Sequence, residues 1–261
     1  MPASLKSSSH GQTMVLTLSN PENRNALGPE IYAAGIEALQ VAETSADVRS
    51  VIIAGEGSTF CAGGNLQRLK SNREQPPLVQ AQSIEGLHGF IEAIRTFPKP
   101  VIAAVEGAAA GAGFSLALAC DFIVAADNAV FVMAYSTVAL SPDGGGSWSL
   151  SRGLPRQLVK ELLMLGERIG AQRLHGLGVV NRTVPAGAAL TEALALAERL
   201  NERAPNSLAS IKELVNDSAE GSLTDALNAE REHFVKNLHH ANGGIGIEAF
   251  LTKQKPLYRP G

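Results

Sequence analysis

Residues 99–127 read KPVIAAVEGAAAGAGFSLALACDFIVAAD, and the fold is decided there. Prolines 98 and 100 close the segment before them, because a residue preceding proline avoids helical backbone. Val101–Val105 is then an unbroken apolar run bounded by Pro100 and Gly107, as expected of a strand buried on both faces. Residues 107–120 read as a glycine-rich turn flowing into a helix of small residues, with further short strands at 122–125 and 129–133. Alternation of strand, turn and helix in one stretch predicts an α/β chain.

Working outward, 14–19 (MVLTLS) alternates like a strand, and Asn20-Pro21 ends it. Residues 29–43 predict a helix, with Pro29 and Glu30 in its first turn and Ile31, Ala34, Ile36, Leu39 and Ala42 as its apolar stripe. A strand at 51–54 and a helix at 78–97 complete the N-terminal half. Beyond Arg156 the pattern is mostly helical (157–165, 171–177, 188–202, 206–215 and 222–238), broken by a strand at 179–184. No sequence period of 20 to 50 residues recurs, so no solenoid is expected.

Composition narrows the function. Of 261 residues, 45% are hydrophobic and 18% charged, the balance of a soluble globular protein. No apolar run approaches the roughly 18 residues of a membrane span, and the net charge of −3 offers no basic excess for nucleic acid. Cys61 and Cys120 lack CxxC spacing, and the first 15 residues lack a signal-peptide core, which points to the cytoplasm. The histidines form no HExxH and cluster only near the chain end (His233, His239, His240), so no metal is expected.

Two glycine turns could carry chemistry. Gly107, Gly111 and Gly113 do not have the dinucleotide G-x-G-x-x-G spacing, and neither a P-loop lysine nor a G-x-S-x-G elbow is present. A second turn, FCAGGNL (60–66), also follows a strand. Two such turns can point main-chain N–H groups into one cleft and hold an oxyanion without a side chain. Taken alone, both are equally readable as ordinary tight turns.

Three motifs in order, EGSTFCAGGNL (56–66), the 99–127 run and LSPDGGGSW (140–148), resemble the crotonase superfamily, the enoyl-CoA hydratase/isomerase family. NPENRNAL (20–27) and F-x-x-K (250–253) extend the likeness to nearly the whole chain. The resemblance implies a crotonase (ClpP-like) α/β fold, a spiral of repeated β-β-α units over 1–200. A C-terminal helical region, 201–261, would then build a homotrimer or a dimer of trimers. The implied chemistry is stabilisation of the thioester enolate of an acyl-CoA, with no cofactor besides the coenzyme A of the substrate.

Carried over by position, the oxyanion donors would be the N–H groups of Gly64 and Ala112. Asn65 and Leu66 would follow the pantetheine, and Arg24, Ala26, Phe60 and Ala62 would meet the nucleotide end. Tyr135 would contact substrate, and Phe250 and Lys253 would complete a neighbour's CoA site. The two glutamates of common hydratases are replaced by Ser115 and Tyr135. That leaves Asp143 as the expected proton carrier, although its P-D-G setting is also a good turn sequence. The P-D-x-G-G-x-W arrangement is similar to that of 1,2-epoxyphenylacetyl-CoA isomerase and of alternative-type oxepin-CoA hydrolases. Isomerisation of an unsaturated or aromatic-derived acyl-CoA is therefore expected. The alternatives are enoyl-CoA hydration, hydrolytic dehalogenation of an aryl-CoA through Asp143 and His88, and a catalytically silent acyl-CoA-binding subunit. Cys61 has no evident base partner, and Asp121 is expected to pair locally.

Overall fold

A computed structural model describes residues 3–218 and 221–259. Its strands are β1 (Ser4–His10), β2 (Thr13–Ser19), β3 (Ser50–Gly55), β4 (Val101–Val105), β5 (Ala108–Ala110), β6 (Phe122–Ala126), β7 (Val130–Val132), β8 (Arg168–Gly170) and β9 (Arg182–Val184). The helices of the N-terminal half are α1 (Pro29–Thr44), α2 (Leu66–Asn72), α3 (Pro77–Thr96) and α4 (Ala112–Ala119). They are followed by α5 (Gly146–Gly153), α6 (Arg156–Leu165), α7 (Ala171–Gly176), α8 (Ala189–Asn201), α9 (Pro205–Asp217), α10 (Leu223–Leu238) and α11 (Ala241–Leu251). None of the described helices is long and apolar enough to cross a membrane.

The strands form a spiral. One sheet runs β1-β2-β3-β4-β6-β9, antiparallel at β1–β2 and parallel thereafter, and a second runs β5-β7-β8. In the first, Ile52 pairs with Ile102 and Ile102 with Phe122. In the second, Cys61 bridges to Ala109, which pairs with Phe131, which pairs with Ile169. Each turn of the chain thus adds one strand to each sheet. Fifty residues separate Ile52 from Ile102 but only twenty separate Ile102 from Phe122. Unequal insertions hide the repeat from any search for a fixed period.

β4 is buried on both faces, as its apolar run predicts. Val101, Ala103 and Val105 join the main core, while Ile102 and Ala104 face α8 through Ala189, Ala193, Leu196 and Ala197. The buried line of α1 differs from the expected stripe. Ile31, Tyr32, Gly35, Leu39 and Ala42 are buried, whereas Ala34 and Ile36 are partly open, because Gly35 admits the ring of Phe90 from α3.

Other corrections fall at polar or glycine-rich segments. β1 is a polar edge strand whose side chains are nearly all exposed, so it carries no burial pattern. β5 lies inside what reads as a turn, and α5 and α11 begin among glycines. The strand expected at 179–184 is reduced to β9.

α9, α10 and α11 stand outside the main clusters of buried apolar side chains. They are tied to the core through polar groups. Lys212 of α9 donates to Asp121 Oδ2 (2.9 Å) and to the carbonyl of Ile94 (2.9 Å), and Asn216 of α9 donates to the carbonyl of Arg95 (3.0 Å). Asp121 also accepts from the N–H of Val101 (2.7 Å), so the expected local pairing is replaced by bonds to residues 20 and 91 positions away.

Candidate active site

Main-chain hydrogen bonds zip the FCAGGNL turn to the next turn of the spiral. Phe60 N–H donates to Glu106 (2.8 Å), Cys61 N–H to Ala108 (3.0 Å), and Ala110 N–H back to Cys61 (2.9 Å). On its other side Ala62 N–H donates to Arg24 (3.0 Å), and Leu27 N–H donates to Gly63 (2.8 Å). The NPENRNAL segment is therefore a clamp. Its buried Asn25, at φ +57°, donates to the carbonyls of Glu56 (2.9 Å) and Thr59 (2.7 Å) and accepts from Asn20 N–H (3.0 Å). Asn tolerates this left-handed backbone. That role for Asn25 was not anticipated from sequence, where a left-handed asparagine leaves no periodic signal.

Two glycines let the turns meet. Gly63 lies at φ +87°, and a Cβ there would stand 2.6 Å from the carbonyl oxygen of Ala110 and 3.3 Å from Ala112 N. A Cβ on Gly113 would stand 2.5 Å from the carbonyl oxygen of Cys61. The close approach brings the exposed Gly64 beside the start of α4, where Ala112 is the first helical residue. Among the described residues, neither Gly64 N–H nor Ala112 N–H has a protein acceptor. The first N–H groups of a helix have no partner within it and carry its positive end. Two free main-chain donors at adjoining turns are the chemistry by which a protein can hold a carbonyl oxygen that gains negative charge.

Asp143 is held against the same place. Its Oδ1 accepts from the Tyr135 hydroxyl (2.6 Å), and its main-chain oxygen accepts from Ser115 Oγ (2.9 Å). The Tyr135 ring in turn packs at the turn: a Cβ on Gly111 would lie 3.5 Å from its hydroxyl oxygen. Tyr135 thus links the Asp143 carboxylate to the turn that precedes Ala112. Burial, then the Asp143 charge, pushes the Tyr135 phenol well above its ordinary range, so it remains a protonated donor. Ser115 is buried and sits at the middle of α4. Tyr135 and Ser115 therefore both hold residue 143, the first by its carboxylate and the second by its main-chain oxygen.

Trp148 anchors α5, the helix that starts directly after the Asp143 turn. Its ring lies between the guanidinium groups of Arg152 (3.7 Å) and Arg95 (4.3 Å), and Arg95 donates to Asn216 of α9 (3.4 Å).

The remaining expected site residues divide. Arg24 (φ +52°) and Leu66 are exposed and Ala62 is partly so, whereas Phe60 and Ala26 are buried. The side chain of Phe60 is core and presents no surface to a ligand. Asn65 caps α2, its Oδ1 accepting from Gln67 N–H (3.0 Å) and Arg68 N–H (3.2 Å). Phe250 and Lys253 are exposed at the end of α11. His88 is exposed on α3. Cys61 is fully buried, and burial pushes its thiol up to about 12, so it is packing and not a nucleophile.

Comparison with known proteins gives the same answer at the level of family. Residues 9–260 match the model of the enoyl-CoA hydratase/isomerase family. The chain is 34% identical over 246 residues to the 1,2-epoxyphenylacetyl-CoA isomerase of Escherichia coli (strain K12), covering 94% of each chain. It is 31% identical over 248 residues to the 2,3-dehydroadipyl-CoA hydratase of the same organism, covering 95% of each. The crystal structure of an enoyl-CoA hydratase from Polaromonas sp. JS666 is similar throughout, with 71% identity, a TM-score of 0.97, and coverage of 98% of this chain and 100% of that one. With the spiral of paired sheets and the two free N–H donors, these matches show that the chain belongs to the enoyl-CoA hydratase/isomerase family of the crotonase superfamily and is an acyl-CoA enzyme.

Proposed function

We propose that the protein isomerises an unsaturated or aromatic-derived acyl-CoA thioester, with Asp143 carrying the proton. One observation carries this reading: the carboxylate held beside the oxyanion turns is Asp143, and the groups at the two hydratase glutamate positions serve to hold it. Hydration in the two-glutamate manner has no carboxylates at those positions to position and activate water. In the proposed reaction Asp143 takes a proton from a carbon at or beyond the α position. The thioester oxygen accepts the resulting charge between Gly64 N–H and Ala112 N–H. The proton then returns to a different carbon, so the double bond moves and no atom is gained or lost. Asn65 and Leu66 follow the pantetheine, and Arg24, Ala26, Ala62 and the main chain of Phe60 lie toward the nucleotide end. CoA is part of the substrate, and no further cofactor is needed.

Turnover in D2O tests this. A panel of enoyl-, dienoyl- and aryl-CoA thioesters should include one whose product has the substrate's mass plus deuterium at an exchanged carbon, because the carrier equilibrates with solvent. A product heavier by one water, with no exchange in recovered substrate, would establish hydration instead.

Residues 201–261 are proposed as the assembly region of a trimer or a dimer of trimers, with Phe250 and Lys253 completing a neighbour's CoA site. Leu223, Leu227, Phe234 and Leu238 of α10 are 75%, 56%, 68% and 44% exposed, a large apolar stripe for a lone chain. Light scattering at micromolar concentration should give three or six times the chain mass of 27.3 kDa, and a monomer would sink this. The free thiols of Cys61 and Cys120 support a reducing compartment, the cytoplasm.

A further inference from the structure

The turn after Asp143 is soft. Gly144 and Gly145 follow at φ +58° and +76°, and α5 opens on a third glycine, Gly146, so contacts from outside must remove the freedom of this stretch. The main-chain oxygen of Asp143 accepts from Ser115 Oγ (2.9 Å) and from the N–H of Gly146 (3.3 Å). Residue 143 is thereby tied to α4 on one side and to the first residue of α5 on the other. α5 itself buries only Gly146 and Leu150. Its half-buried Trp148 adds a hold through the ring, which stacks on Arg152 of the same helix (3.7 Å) and on Arg95 of α3 (4.3 Å). Arg95 is gripped in turn by α9. Its Nη2 donates to Asn216 Oδ1 (3.4 Å), Asn216 Nδ2 donates back to the carbonyl of Arg95 (3.0 Å), and Lys212 donates to the carbonyl of Ile94 (2.9 Å). The last turn of α3 is therefore fixed by α9, and Trp148 lies on the arginine that α9 fixes.

A guanidinium is attracted to the face of an indole, so the stack sets where the ring lies and with it the rotation of α5 about its own axis. We propose that Trp148 is a positioning residue for Asp143: its stack on Arg95 fixes α5, and the bond from Gly146 N–H carries that placement to residue 143. By this route α9 governs the proton carrier without touching it. The inference rests on Asp143 carrying the proton. Trp148 adds no contact to the substrate, so its loss is read in kcat and not in KM.

The test is steady-state kinetics of the whole protein on the enoyl-, dienoyl- or aryl-CoA thioester that the parent converts fastest. Trp148→Leu should lower kcat by about 10-fold while KM and CoA affinity stay within about 2-fold, since a misplacement of about 1 Å at the reacting group can cost as much as 10²-fold. Trp148→Phe, which keeps a flat ring for both guanidinium groups, should bring kcat back to within about 3-fold of the parent. In the Asp143→Asn background Trp148→Leu should cost less than about 2-fold, because the group it positions is no longer a base. Trp148 is the single tryptophan of the chain, so its fluorescence reports the stack alone. Asn216→Ala keeps that probe and should raise its quenching by acrylamide and lower kcat together, which also covers the case of a Trp148→Leu protein that does not fold. A parental kcat in Trp148→Leu, an equal loss in both backgrounds, or a change in KM as large as that in kcat overturns the inference. So does an Asn216→Ala protein in which either quenching or kcat stays parental. Asp143→Asn at parental turnover, or a parent that converts none of the panel, overturns the proposed reaction instead.

Discussion

Asp143→Asn should lower turnover by about 10²-fold or more while acyl-CoA affinity changes less than about 3-fold. General acid–base catalysis is commonly worth 10² to 10⁴ in rate, and asparagine removes the proton acceptor with little change of shape. The surroundings are preserved by construction. The amide oxygen can still accept from Tyr135, and the bond from Ser115 goes to the main chain at 143, which the substitution leaves in place. A loss confined to kcat therefore reports lost chemistry, because a disordered turn would also weaken binding. Tyr135→Phe and Ser115→Ala remove only one supporting bond each and should cost less than Asp143→Asn. Steady-state kinetics on any thioester the parent converts decides the matter. If the asparagine variant keeps near-parental turnover, Asp143 is a turn residue and another group moves the proton.

Much of this arrangement is legible in the sequence, for identifiable reasons. β4 announces itself because burial on both faces demands an uninterrupted apolar run, and both oxyanion turns show as glycines directly after strands. What stays hidden is whatever depends on contacts between distant residues. Ser115 lies 28 positions from Asp143 and Tyr135 lies 8 from it, so the pair that holds the carboxylate has no local spacing to betray it. Without the fold, these two residues show only what they cannot do, which is act as carboxylate bases. Asn25 is similar: its three hydrogen bonds reach back to residue 20 and forward to 56 and 59, and only folding brings those carbonyls together. Tyr32 was outside the expected apolar stripe of α1, because the close packing of Gly35 on Phe90 turns that face of the helix toward α3. The ligand contact expected at Phe60 is not one its ring can make, since the turn that carries it is zipped to the next turn of the spiral and the ring is fully buried.

Gly64→Pro should lower turnover by 10²- to 10³-fold, whereas Gly64→Ala should stay within about 3-fold of the parent. The donor at Gly64 is main chain, so only a residue without an N–H can remove it, and proline is that residue. Loss of one oxyanion donor typically costs about 3 kcal/mol of transition-state stabilisation, which is the quoted range in rate. Alanine is a fair control at this site. Gly64 does not occupy left-handed backbone, and an added Cβ would meet only Leu69 Cδ1 at 3.8 Å, an ordinary contact. The bond that fixes the turn runs from Leu27 N–H to the oxygen of Gly63, and it survives either substitution. Ala112→Pro offers an independent second measurement. It falls at the first residue of α4, where proline is favoured and no intrahelical bond is lost. The same loss of 10²- to 10³-fold is expected there, again without a matching loss of CoA affinity. Small, equal effects of proline and alanine at 64, together with an active Ala112→Pro protein, would show that the thioester oxygen is not held by these two turns.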